Sequence, residues 1–127
     1  MINPVVHFEI ITKDPESLND FYREAFGWKI DSQPVSGGEG VAKYFMARPD
    51  GEMEPKVGIN GGIGSPPQGY DGHVTFYIAV ESVGAALEKI EKVGGTRMLG
   101  PDQVPNGPVI GLFVDPQGHT VGLVEAP

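Results

Sequence analysis

Apolar and polar positions alternate along Val5–Ile11 (VVHFEII), with His7, Glu9 and Ile11 on one face and Val6, Phe8 and Ile10 on the other. That period of two predicts a strand. The period then lengthens: Leu18, Phe21, Tyr22, Ala25 and Phe26 recur at helical spacing. Asp14-Pro15 in front of them combines an N-cap with proline at the first helical position, and Gly27 behind them fits the stop. Trp28-Lys29-Ile30 starts a second strand, and Phe21, Phe26 and Trp28 are read as core packing. A glycine-rich loop, Val35 to Gly40, leads to a strand over Val41 to Ala47. The turn Arg48-Pro49-Asp50-Gly51 and the polar bulge Glu52 to Pro55 then lead to a last strand, Val57-Gly58-Ile59-Asn60.

The second half repeats this order. His73 to Val80 (HVTFYIAV) alternates as a strand, with His73, Thr75, Tyr77 and Ala79 on one face and Phe76, Ile78 and Val80 beneath a helix. Ser82 caps a helix carrying Val83, Ala86, Leu87, Ile90 and Val93, which Gly94-Gly95 ends. Thr96-Arg97-Met98, a Pro/Gly loop through Pro108, the strand Val109 to Val114, the turn Asp115-Pro116-Gln117-Gly118 and the strand Val121 to Val124 complete it. The two halves therefore read as tandem βαβββ modules, 1–63 and 71–127, joined by a linker over 64–70. One such module cannot cover its own sheet. The expected fold is α+β, a curved mixed sheet with helices outside and a cleft shared by the modules.

Composition narrows the function. The 127 residues carry 9 Lys+Arg against 17 Asp+Glu, a net charge of −8, which argues against binding a nucleic-acid backbone and suits a cationic or amphipathic ligand. Cysteine is absent, which excludes disulfides, thiol nucleophiles and cysteine-ligated metals. No apolar stretch approaches the roughly 20 residues of a membrane span. The opening Met1-Ile2-Asn3-Pro4 lacks the basic-then-apolar run of a signal peptide, so cytoplasmic residence is expected. Gly and Pro total 31 residues, but they sit between periodic segments and mark turns rather than low complexity. No serine elbow, phosphate-cradling loop or dinucleotide fingerprint is present.

The duplicated pattern resembles the vicinal oxygen chelate superfamily of glyoxalases, extradiol dioxygenases and bleomycin-resistance proteins. The resemblance rests on the opening strand, Phe21-Tyr22, Phe26-Gly27-Trp28, Asp115-Pro116-Gln117-Gly118 and Gly122-Leu123-Val124-Glu125. Val57-Gly58-Ile59-Asn60-Gly61-Gly62 is similar to uncharacterised bacterial members. Superfamily metalloenzymes hold a divalent ion with imidazole and carboxylate oxygens from four strands. Carried over by spacing, those positions are His7, Gly58, Thr75 and Gly122, only one of them a good ligand. Glu125 lies three residues beyond Gly122 and so in the opposite strand phase.

Two readings follow. The first is a metal-free small-molecule-binding protein of the resistance-protein type, a homodimer in that family. Its ligand would meet His7, Glu9, Tyr44, Gly58, Asn60, His73, Thr75, Tyr77 and Gly122. The paired glycines would either open room for that ligand or mark close strand approach. The second is a lyase, isomerase or dioxygenase that uses His7 and Glu9 as acid and base, or a displaced metal on His7, Glu9 and His73. His119, after Gly118, is expected to be solvent-exposed.

Overall fold

The computed structural model describes residues 2–37, 40–49 and 57–126. The expected turn at Asp50-Gly51, the bulge Glu52 to Pro55 and part of the loop Val35 to Gly40 lie outside the described residues. Two compact units are present: residues 7–74 form one, and residues 75–127 together with the first six form the other. The fold class is α+β with mixed strand pairing, as the alternating pattern predicts.

In the first unit, β1 (Val5–Ile11) is followed by α1 (Pro15–Phe26), β2 (Lys29–Ile30), β3 (Tyr44–Arg48) and β4 (Gly61–Gly64). The strand order is β2-β3-β4-β1; β4 runs parallel to β1 with Glu9 opposite Gly62, and the other pairings are antiparallel. The helix begins where the Asp14 carboxylate accepts the Ser17 N–H at 3.1 Å, a cap that contributes about 1 kcal/mol. It ends at Gly27, whose left-handed φ of 70° lets its N–H reach the Arg23 carbonyl at 2.9 Å. Under α1 lie Ile10, Ile30, Phe45, Ala47 and Ile63, with Phe8, Leu18, Tyr22 and Trp28 packed against them.

The second unit repeats the plan with β5 (His73–Val80), α2 (Val83–Lys92), β6 (Thr96–Gln103), β7 (Val109–Val114) and β8 (Thr120–Glu125). Its order is β5-β8-β7-β6, with β8 parallel to β5 and Tyr77 opposite Gly122. Ser82 caps α2 through the Ala85 N–H at 3.2 Å. Val80, Val83, Leu87 and Leu123 form its core. The Ala79 N–H donates to the Pro4 carbonyl at 2.9 Å, so the first residues of the chain belong to this unit.

Several expectations are corrected. The last strand of the first module is Gly61–Gly64, four residues later than Val57–Asn60, and the third begins at Tyr44 rather than Val41. Trp28 stacks on Tyr22 at 4.5 Å as expected of a core residue, but Phe21 and Phe26 are exposed. The buried side of α1 is instead the stripe Pro15, Leu18, Asn19 and Tyr22. Phe76 is also exposed, whereas Ile78 and Val80 pack under α2. β6 continues through the expected loop to Gln103; Pro101 sits where its register with β7 shifts, on a strand with only one neighbour in its unit.

Candidate functional site

Alternation along β1 sends Phe8 and Ile10 under α1 and leaves His7 and Glu9 on the opposite face. On β3 the same alternation sends Phe45 and Ala47 under the helix and Tyr44 to the His7 side. His7 Nε2 and the Tyr44 hydroxyl are hydrogen-bonded at 2.8 Å, with the two rings nearly parallel. Tyr44 lies over Gly62 of β4, and a Cβ at Gly62 would run into its ring.

Glu9 makes the second polar contact. Its Oε2 stands 2.7 Å from Nε2 of His73, and the two side chains are only 8% and 10% exposed. The other His73 nitrogen, Nδ1, is 2.6 Å from the Tyr70 hydroxyl. A carboxylate, an imidazole and a phenol are thus joined in one line. Tyr70 is placed by a turn in which its N–H donates to the Pro67 carbonyl at 3.1 Å. Sequence reading singled out Glu9 and His73 but missed Tyr70, which falls in the segment read as linker; no local pattern there announces a functional residue.

Burial holds the His7 imidazole below its ordinary value of 6.5, with the Glu9 carboxylate opposing that shift but not overcoming it. The folded chain therefore takes up this proton at lower pH than the unfolded chain. The resulting stability is complete above about 6.5 and is lost as pH falls below that value. The thermal midpoint of the wild type is expected to fall more steeply with acidification than that of His7→Gln. Equal slopes would refute the assignment.

The remaining predicted residues divide. Gly58 lies in a bend ahead of β4 with φ of 86°, away from any strand register, so it is not the counterpart of Gly122. That place belongs to Gly62, which faces Glu9 as Gly122 faces Tyr77. Asn60 precedes β4; its carbonyl accepts the Phe8 N–H at 3.3 Å, and its buried Oδ1 has no hydrogen-bond partner. Thr75, Tyr77 and Gly122 form a set of their own in the other unit. Thr75 Oγ1 donates to the Thr120 carbonyl at 2.6 Å, and the Tyr77 ring lies over Gly122. Glu125 is on the helix side, accepting the Val83 N–H at 3.0 Å, as its strand phase predicts. His119 is exposed and paired with Asp115.

The divalent ion implied by the resemblance does not fit these residues. Of the four corresponding positions, Gly62 and Gly122 offer no donor, and the room beside each is filled by a tyrosine ring. The Thr75 hydroxyl is spent on a backbone carbonyl. Of the displaced set His7, Glu9 and His73, the last two are bonded to each other at 2.7 Å, and among the described residues no three His, Asp or Glu are grouped to hold a metal. Gly62 and Gly122 therefore mark close aromatic packing, whereas a Cβ at Gly58 would meet nothing within 4 Å.

Comparison with known proteins agrees with this architecture. The "Putative glyoxylase CFP32" of Mycobacterium tuberculosis (strain CDC 1551 / Oshkosh) is 32% identical over 118 residues, 93% of this chain but 44% of that protein. The chain thus spans less than half the length of that relative. A "Glyoxylase-like domain-containing protein" of Didymella fabae is 28% identical over 94% of this chain and 91% of its own. Among solved structures, a Streptomyces coelicolor methylmalonyl-CoA epimerase in complex with 2-nitronate-propionyl-CoA superposes with a TM-score of 0.72 at 17% identity, covering 99% of both chains. At that identity the likeness is one of fold. The family model for the Glyoxalase/Bleomycin resistance protein/Dioxygenase superfamily matches residues 5–123. The chain belongs to that superfamily.

Proposed function

We propose that this chain is a small-molecule-binding domain of the glyoxalase and bleomycin-resistance type that works without the superfamily's divalent metal. The observation that carries the reading is the pair Gly62 and Gly122, each at the last strand of its module and each under a tyrosine ring. In place of a metal, the His7–Tyr44 and Glu9–His73–Tyr70 contacts give the unit of residues 7–74 a set of fixed hydrogen-bonding groups. The net charge of −8 favours a cationic or amphipathic ligand.

Metal content tests this directly. Protein dialysed against zinc, manganese or nickel and then against buffer should retain less than one ion per chain, with a melting temperature indifferent to chelator. A stoichiometric ion that is lost in His7→Ala would overturn the reading. Native mass spectrometry of the same sample reports the proposed homodimer and any retained ligand.

A second reading, acid–base catalysis on a small oxygenated substrate, is favoured by the burial of Glu9 against His73. Turnover that survives metal removal and disappears in Glu9→Gln supports it.

A further inference from the structure

We infer that Tyr70 is a base-activated phenol, with His73 as its base and Glu9 as the residue that positions the base. The inference goes beyond ligand binding and is independent of the metal question.

A carboxylate oxygen accepts, which at 2.7 Å places the proton of this bond on His73 Nε2. In the neutral imidazole this leaves the lone pair on Nδ1, where the Tyr70 hydroxyl stands at 2.6 Å and donates. A nucleophile within hydrogen-bond reach of a base, itself oriented by a third group, is the arrangement that activates weak oxygen nucleophiles. Burial strengthens it, because Glu9 and His73 are shielded from water that would compete for both bonds.

Tyr70 is the accessible end of this line. It is half-buried, and it sits just ahead of β5 rather than inside a strand. The chemical class this suits is a small ligand with an activated acyl carbonyl. The Tyr70 oxygen bonds to the acyl carbon, the leaving group departs with the electrons of its own bond, and the phenolic proton passes to His73 Nδ1. The imidazolium that results is stabilised by Glu9.

N-acetylimidazole tests the assignment without knowledge of the natural ligand. Its acyl C–N bond breaks as the Tyr70 ester forms, and the imidazole released takes a proton from water. Peptide mapping by mass spectrometry separates Tyr70 from Tyr22, Tyr44 and Tyr77. At about pH 7.5 the acetylation of Tyr70 in His73→Gln should be about tenfold slower or more, with Glu9→Gln between the two. Tyr70→Phe should remove that adduct and leave the others. In the wild type the rate should level off with pH, because His73 takes the proton. An unassisted phenol would instead gain about tenfold per pH unit up to its own ionisation near 10. That unit slope, or a change of less than about twofold in folded His73→Gln, overturns the assignment. The wild-type profile decides the matter even if the variants do not fold.

Discussion

Gly122→Ala is expected to destabilise the protein by about 3 kcal/mol, although alanine is ordinarily the better strand residue. The added Cβ would stand 2.6 Å from Cγ, Cδ1 and Cδ2 of Tyr77. These atoms are the near end of the ring, which cannot swing aside without leaving its rotamer. Tyr77 is 5% exposed, and a buried ring in a close-packed interior has little room to move. The cost is steric, since Gly122 has none of the positive φ values that require glycine. Denaturant titration of Gly122→Ala, Tyr77→Ala and the double variant checks it. The two changes should couple by at least about 1 kcal/mol, because removing the ring removes the clash. Strict additivity would show that the ring and the glycine do not share that space. The same contact predicts that Gly122→Glu, which restores a carboxylate at that position, destabilises before it binds anything.

Glu9→Ala should cost about 3 kcal/mol, with Glu9→Gln costing about 1 kcal/mol. The alanine leaves the His73 N–H buried without an acceptor, in a place where neither side chain reaches much water. Glutamine keeps a carbonyl oxygen at nearly the same point and so keeps the bond while losing its charge. Urea denaturation distinguishes the two. If both variants lose the same amount, the stabilisation belongs to packing around Glu9 and not to its bond with His73.

Local signals were legible and nonlocal ones were not. The helix α1 could be bounded from Asp14, Pro15 and Gly27 because a cap acts within one turn of itself. The face it buries could not, since five aromatic and aliphatic positions compete, and only the sheet beneath selects Leu18 and Tyr22 over Phe21 and Phe26. The misplaced fourth strand has a similar cause. In Gly58-Ile59-Asn60-Gly61-Gly62-Ile63-Gly64 the isoleucines are spaced so that two registers alternate equally well. Pairing of Glu9 with Gly62, across more than 50 residues, decides between them. At the site, His7, Glu9 and His73 stood out as polar residues on otherwise apolar strands, which is an unusual thing to bury. Tyr70 did not, because an aromatic residue beside Gly69 in a turn is unremarkable until the imidazole it meets is known.

The bond between the Ala79 N–H and the Pro4 carbonyl has a consequence for the order of folding. Residues 7–74 form one unit from a single continuous stretch, whereas the other unit takes its residues from both sides of that stretch. Bringing Pro4 to Ala79 therefore closes a loop that contains a whole unit, and closing so distant a contact is a slow step in assembly.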